Sequence, residues 1–409
     1  MKTSFIKNLG VIISIASLCS CNINNSTDRT IDDNLDFACE QTSLLLNDAE
    51  KAQKIPRTIT ADGHMHWTRE GFDWTEGFFP GTCWYLFEYS NNAKWKKAAD
   101  HFQEKYESHR LLPFYHDLGF VFNCSYGHAY RLTGEEAYKQ VLIDAGNTLI
   151  TRFNPQVGCI RSWDVDKGWQ SKRGWQYPVI IDNMMNLEML FELSNITGER
   201  KYADVAISHA NVTMKNHFRE DISSYHVIDY DSITGEVRNK HTAQGFAHES
   251  EWARGQAWGL YGYTICYRYT KDPKYLQLAE KIADYIMQHP ALPADHIPYW
   301  DYDAPKVPNE PRDASAAAIT ASALIELNTY SQKDYMTEAT TIINSLSSDN
   351  YLAKKGKNHH FILKHSVGSI PHNNEIDVPL NYADYYYVEA LMRLRKNDDL
   401  FSQHLAESK

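Results

Sequence analysis

Cysteine is scarce, and none of it is arranged to bind a metal. Only 7 occur in 409 residues, with no C-x-x-C pair and no Cys/His set at zinc spacing. Cys19 and Cys21 sit near the N-terminus. Cys39, Cys83, Cys124, Cys159 and Cys266 are odd in number and far apart, which argues against a disulfide framework or a structural zinc. Positive charge is also short: 41 Lys and Arg against 52 Asp and Glu leave a net charge of −11. Nucleic acid is therefore not expected as a partner, since phosphate binding needs clustered cations. There is no G-x-G-x-x-G, P-loop or G-x-S-x-G, so nucleotide folds and serine hydrolases gain no support. The His64–His66 pair and His359–His360 lack a third ligand and helical spacing, so no metal and no cofactor is expected. Past the first twenty residues no run is apolar enough to cross a membrane.

The N-terminus reads as an address. Lys2 and Lys7 precede an apolar stretch from Leu9 to Leu18, which is too short to span a bilayer. It ends in Leu18-Cys19-Ser20-Cys21, which resembles a bacterial lipoprotein cleavage site. The expectation is a signal peptide over 1–20, an acylated Cys21 as new N-terminus, and a polar tether over 21–33. The chain would then lie in the periplasm or at the outer membrane, touching membrane only through that anchor. Cleavage and secretion without a lipid is the alternative.

Aromatic residues are abundant, at 13% with 10 Trp and 26 Tyr. One phrase recurs along the chain: a turn, an aromatic residue, then an amphipathic helical run. It stands at Trp95, Tyr138, Tyr202, Tyr275 and Tyr335. In one such run Tyr275, Leu278, Ala279, Ile282 and Ile286 share a face. The segments before each turn are apolar nearly all round, as in FFPGTCWYLFEYS and WARGQAWGLYGYTICYRY. Helices of that kind are buried on every side. With an outer helix at about 34–53, the chain alternates six outer and six inner helices. This predicts an all-α fold, a single (α/α)6 barrel over 34–409, acting as a monomer or weak dimer. An open solenoid is the rival, but the markers are spaced irregularly. Connections from outer to inner helices are long and would gather at one end, where loops of that length are usually functional.

The residues at the six inner-helix starts are chemically rich: Trp74 and Glu76; His116 and Asp117; Asp182 and Asn183; Glu251, Trp252 and Arg254, with Gln256 and Trp258 a turn on; Arg312 and Asp313; Tyr382 and Asp384. Any single Asp there can be an N-cap. Carboxylates, aromatics and Arg on one rim look instead like a carbohydrate site, with ring faces for stacking and carboxyls for proton transfer. Asp117 and Asp182 supply the two carboxyls that glycoside hydrolysis needs.

DWTEGFFPGTCWYLFEYS, YHDLGF, VIIDNMMNLEMLF, YHVIDYD, HTAQGFAHESEWARGQAWGLYGY and VPLNYADYYYVEAL resemble the unsaturated glucuronyl hydrolase family of glycoside hydrolases, from about Ala61 to Leu394. The resemblance implies an (α/α)6 barrel without metal that removes the 4,5-unsaturated uronic acid from the non-reducing end of oligosaccharides made by polysaccharide lyases. It implies hydration of the vinyl ether rather than protonation of the glycosidic oxygen. By resemblance Asp182 is the proton donor and water activator and Asp117 the second essential carboxylate. His226, Gln244, Arg254 and Trp258 match residues around the unsaturated ring and its carboxylate, and Trp74 and Trp169 match stacking residues. Members that accept sulfated glycosaminoglycan pieces carry S-x-x-S-x-K in the last long loop. Here Ser366 and Ser369 are present, Pro371 takes the third place, and Lys364 and His372 flank them. The alternatives are the related unsaturated rhamnogalacturonyl hydrolases, acting on pectin fragments, and an inactive surface lipoprotein that binds glycans. The presence of both carboxylates speaks against the latter.

The lipid anchor has a direct check. Changing Cys21 to Ala should move the protein from the membrane fraction to a soluble or unprocessed form; equal membrane association of both forms would contradict the anchor.

Overall fold

The computed structural model describes residues 29–407; the signal segment and Cys21 lie outside the described residues. Thirteen α-helices carry the fold among them. The outer layer is α1 (Ile31–Ala52), α3 (Ala93–Gln103), α6 (Glu136–Ile150), α8 (Arg200–Asn216), α10 (Pro273–Gln288) and α12 (Met336–Leu346). The inner layer is α2 (Phe78–Ser90), the interrupted helix α4 (Leu118–Phe122) and α5 (His128–Thr133), α7 (Leu187–Thr197), α9 (Ala253–Thr270), α11 (Ala314–Asn328) and α13 (Asn381–Glu407). A π turn, Asn123–Gly127, joins α4 to α5 without ending the helix. Each inner helix packs on the next, and α13 returns to α2, so the ring closes. The solenoid alternative is thereby excluded.

Local chemistry explains the alternation. In α10, Asp272 caps the backbone of Lys274, Pro273 stands at the first turn where its missing N–H costs nothing, and Tyr275, Leu278, Ala279, Ile282 and Ile286 form the buried stripe. In α9 every residue from Ala253 to Cys266 is buried. Inner helices α2, α5, α7 and α9 stop at Asn91, Gly134, Gly198 and Lys271, all left-handed, and the next helix starts two residues later. The turn after α11 is longer, 329–335, because Asn328 folds its side chain back to accept the N–H groups of Tyr335 and Met336. The tether also ends sooner than expected. Thr30 and Asp33 form a reciprocal capping box, so α1 is already helical at Ile31.

Short strands decorate only the long connections: β1 (Pro56–Ile59) with β2 (Met65–Trp67), β3 (Phe153–Asn154) with β4 (Cys159–Ile160), β5 (Tyr177–Ile180) with β6 (Val227–Tyr230) and β7 (Val237–His241), and β8 (Ser366–Ser369) with β9 (Asn374–Val378), all antiparallel. At the other end the barrel is plugged by paired charge. Arg268 binds Glu188 and Glu326, Arg393 binds Glu326 and Glu389, and Glu389 accepts the hydroxyls of Tyr85, Tyr261 and Ser322. Buried charges persist where each has such partners.

Gly77, just before α2, lies against the second inner helix, where an added Cβ would stand 2.2 Å from the carbonyl oxygen of Val121. Backbone cannot yield as a side-chain tip can. Gly77→Ala should therefore cost about 1–3 kcal/mol, read as a lowered Tm; an unchanged Tm would contradict this packing.

Candidate active site

The three-stranded sheet and one glycine assemble the site. Strand β5 pairs with β6 so that Ile180 faces Val227, and the N–H of Ile181 donates to the carbonyl of His226 at 3.0 Å. Asp182 follows in a short 3-10 turn, Ile181–Asn186, that leads into α7. His226 thus comes beside Asp182, its Nε2 3.5 Å from Asp182 Oδ2. Asp117 stands at the start of α4, where Gly119 lets Asn186 approach so closely that a Cβ would be 2.5 Å from its Cα. His116 puts Nε2 3.3 Å from Asp117 Oδ1.

Asp117 and Asp182 share the floor of one cleft of about 920 Å³, open to solvent, with Trp74, Trp163, Trp169 and Trp258 on its walls. Neither carboxyl serves as a helix cap, whereas Asp313 does, accepting the N–H groups of Ser315 and Ala316. Burial, then the charge of Asp182, pushes the Asp117 carboxyl up to about 8. Burial, then Arg152, holds His116 down at about 3, so its ring is neutral. Trp163 stands edge-on to both histidines, at 6.3 Å from His116 and 6.1 Å from His226. Two donors and one acceptor here are buried without a partner: Trp258 Nε1, His226 Nε2 and Asp182 Oδ2. Buried polar atoms left open in this way are ready for a ligand.

Of the residues expected from sequence, Asp117, Asp182, Gln244, Trp258, Trp74, Trp169 and Ser369 line the cleft, and His226 lies directly behind Asp182. Ser366 does not: it is fully buried behind the wall. Arg254 also departs from its expected role. It is 1% exposed, pairs with Asp313 at 2.9 Å, and donates to the carbonyls of Val367 and Gly368, so its guanidinium holds strand β8 from beneath instead of facing a uronate. Of the two carboxyls, Asp117 is the one that burial and a neighbouring charge push up. Other rim acids are structural. Asp384 accepts the N–H groups of Ile362 and Leu363, and Glu76 pairs with His109 at 2.8 Å. Arg57, Asn374 and Glu375 line the cleft unannounced by the sequence. Arg57 grips Glu375 and Asp73 together, a pairing across more than three hundred residues that no local pattern signals. His372 lies on the wall, its Nδ1 2.7 Å from Ser369 Oγ and its ring 5.0 Å from that of Trp169. Among the described residues no group of acids, histidines and cysteines is placed to hold a metal.

A barrel of paired helices with two carboxyls and a tryptophan-lined cleft at the loop end defines a carbohydrate-cleaving enzyme, and the chain belongs to Glycosyl Hydrolase Family 88, whose profile matches residues 49–397. It is 46% identical over 351 residues to an unsaturated glucuronyl hydrolase of Formosa agariphila, covering 85% of this chain and 86% of that one. It superposes with a TM-score of 0.84, at 48% identity, on an unsaturated glucuronyl hydrolase described as specific for heparin, covering 90% of this chain and 98% of that one. A variant of the Streptococcus agalactiae enzyme complexed with dGlcA-GalNAc6S matches with a TM-score of 0.74 at 28% identity, covering 89% and 91%. This chain is therefore a glycosidase of the unsaturated glucuronyl type, acting on an unsaturated oligosaccharide.

Asp182→Asn and Asp117→Asn each remove one half of an acid–base pair, so each should lower kcat by roughly 10²–10⁴ with the barrel still folded; near-wild-type turnover in either would remove that residue from the chemistry. For the wild type, kcat/KM should fall as pH rises through about 8, where Asp117 gives up its proton. Stability follows the same sign. Between the ordinary value of 3.8 and about 8 the folded chain holds a proton at Asp117 that the unfolded chain releases, so this contribution declines as pH rises through that window.

Proposed function

We propose that the cleft takes the unsaturated uronate of a heparin-type disaccharide lacking sulfate on the second sugar, and adds water across its C4=C5 bond. The observation that carries this reading is the pair of carboxyls on one floor, with Asp117 pushed up to about 8 by burial and the charge of Asp182. One carboxylic acid protonates C4, and the electrons of the double bond form the new C–H bond. Water then bonds to C5 and gives its proton to the carboxylate. The resulting hemiketal opens to a C5 ketone, which leaves C1 as a hemiacetal; that hemiacetal breaks its bond to the glycosidic oxygen, releasing the second sugar as an alcohol and leaving an aldehyde at C1. Trp74 and Trp169 offer ring faces to the sugars, and Trp258 Nε1 is a free donor toward the cleft.

Two features support the finer choice of substrate. The similarity at 48% identity is to an enzyme described as specific for heparin. The wall also offers little free cation. Arg57 is already paired with Asp73 and Glu375, and burial, then Arg173 and His226, holds the His372 imidazole below its usual value. Arg57 is the one Arg or Lys in the cleft lining, so sulfate on the second sugar would meet no unpaired cation in that lining; the neighbouring Arg173 lies over the rings of Trp169 and Trp175. The chain would work as a monomer or weak dimer, anchored by acylated Cys21 in the periplasm or at the outer membrane; the Leu18-Cys19-Ser20-Cys21 box supports that placement.

Loss of the conjugated carboxylate's ultraviolet absorbance tests the substrate. Unsulfated heparin-type disaccharide should be cleaved with kcat/KM at least about tenfold above its sulfated and chondroitin-type counterparts, a difference of roughly 1.4 kcal/mol. Equal rates, or preference for a sulfated sugar, would overturn the choice.

A further inference from the structure

The wall segment that carries Ala243 and Gln244 into the cleft belongs to no helix or strand, so its backbone N–H groups need other acceptors. Side chains supply them. Thr242 donates to His248 Nδ1 at 3.1 Å, and Ala243 and Gln244 donate to His226 Nδ1 at 3.1 and 3.2 Å. Gly245 donates to Thr242 Oγ1 at 2.8 Å, Phe246 to Asp301 Oδ2 at 2.8 Å, and Ala247 to Ser250 Oγ at 2.9 Å. Six consecutive backbone donors are thus pinned by side chains. The segment also ties to β8, where Gln244 Nε2 donates to the carbonyl of Gly368 at 3.3 Å.

Of these acceptors His248 is the exposed one, and it has a neighbour of its own kind. Its ring stacks on that of His241, with centroids 4.3 Å apart and planes 28° apart. His241 Nδ1 accepts the indole N–H of Trp175 at 2.8 Å, and Trp175 stacks on Trp163 of the cleft wall at 5.6 Å. Both donors, a backbone N–H and an indole N–H, have no lone pair to offer in return. Each Nδ1 is therefore bare, and a proton added there would set N–H against N–H. The surrounding charges do not compensate. Asp229 faces His241 but is taken by Arg238, Asn239 and the N–H groups of Gln176 and Tyr177. Burial, then His248, holds the His241 imidazole below its usual value, and Arg173 acts the same way. Beside His248, Arg219 reaches the His248 carbonyl, while Glu249 lies 3.6 Å from Arg219 and accepts the Tyr225 hydroxyl.

We propose that His248, stacked on His241, is a positioning residue for the reaction: while its Nδ1 is bare it pins the segment that carries Gln244, and when that nitrogen takes a proton the segment is released and the cleft wall loosens. His248 does not line the cleft and touches neither carboxyl, so its effect falls on substrate binding and leaves the chemistry on the floor to the carboxyls. Acid then weakens binding through the wall, separately from whatever it does at Asp117 and Asp182.

His248→Asn isolates this role. The Asn side-chain oxygen can stand where Nδ1 stands and accept the Thr242 N–H, but it takes no proton. KM for an unsulfated heparin-type unsaturated disaccharide is measured at about pH 7.5 and about pH 5.5, on either side of the ordinary imidazole value. On acidification KM should rise about fivefold more in the wild type than in His248→Asn, the worth of roughly one hydrogen bond. His226 and both carboxyls are common to the two enzymes and drop out of the comparison. His248→Ala, which keeps no acceptor, should raise KM at both pH values with a smaller change in kcat. Equal pH dependence of KM in the wild type and His248→Asn would overturn the proposal, as would His248→Ala lowering kcat alone. The wild type by itself supplies a readout without turnover: hydrogen exchange of the 242–247 segment by mass spectrometry, corrected for the intrinsic effect of pH. Protection of that segment should fall from about pH 7.5 to about pH 5.5, where imidazoles take their proton. Unchanged protection would overturn the proposal whichever disaccharide the enzyme cleaves, and lost protection with no cleavage of the heparin-type disaccharide would overturn the substrate reading alone.

Discussion

Two carboxyl groups share one floor, the charge of Asp182 opposing ionisation of Asp117, and much of the loop end of this barrel is arranged around that constraint. Asp117 and Asp182 come from neighbouring inner helices, and neither carboxyl is used to cap its helix. Each helix start nevertheless keeps its place through other contacts: Asn186 and Gly119 lock the two elements together, and β5 against β6 fixes the turn that carries Asp182. With capping delegated elsewhere, both carboxyls keep open lone pairs toward the cleft. Asp117 then stays protonated well into the range where an ordinary carboxyl is charged, which is what proton transfer to carbon requires.

The wall opposite the floor is held by buried charge. Arg254 binds Asp313 below and two carbonyls of β8 above, and Arg57 joins Glu375 of β9 to Asp73 in the first long loop. Both arginines are positioning groups. The hairpin they brace presents Ser369, His372, Asn374 and Glu375 to the cleft. Where α11 meets α9 and α13 the inner ring is closed by a run of alanines and other small side chains, joined by Glu389 of α13, which accepts the hydroxyls of Tyr261 and Ser322. Small contacts and buried polar pairs hold the ring, and the loops carry chemistry.

Much of this was legible in the chain because burial leaves a period. The all-round apolar run of α9 and the single stripe of α10 differ plainly in sequence, and the stop signals at Asn91, Gly134 and Gly198 mark the turns. The carboxyls were legible because they sit at helix starts. The direction of Arg254 was not: a helix-start arginine inside a family-like motif looks the same whether its guanidinium meets a ligand or a neighbouring strand, and only the register of β8 decides. Ser366 was misplaced for a similar reason, since side chains on a strand alternate faces and the hairpin bulge between Ser366 and Val367 sets which face it takes. The upward shift of Asp117 was out of reach too, because it depends on burial and on the charge of Asp182, which another inner helix brings beside it.

Hydration of the double bond, rather than direct protonation of the glycosidic oxygen, is the claim on which the chemistry stands, and solvent deuterium tests it most directly. Turnover in heavy water, quenched within the first cycles and read by nuclear magnetic resonance, should give a released uronate carrying one deuterium at C4 on a single face. A product with no deuterium at C4 while the glycosidic bond has been cleaved would contradict the account.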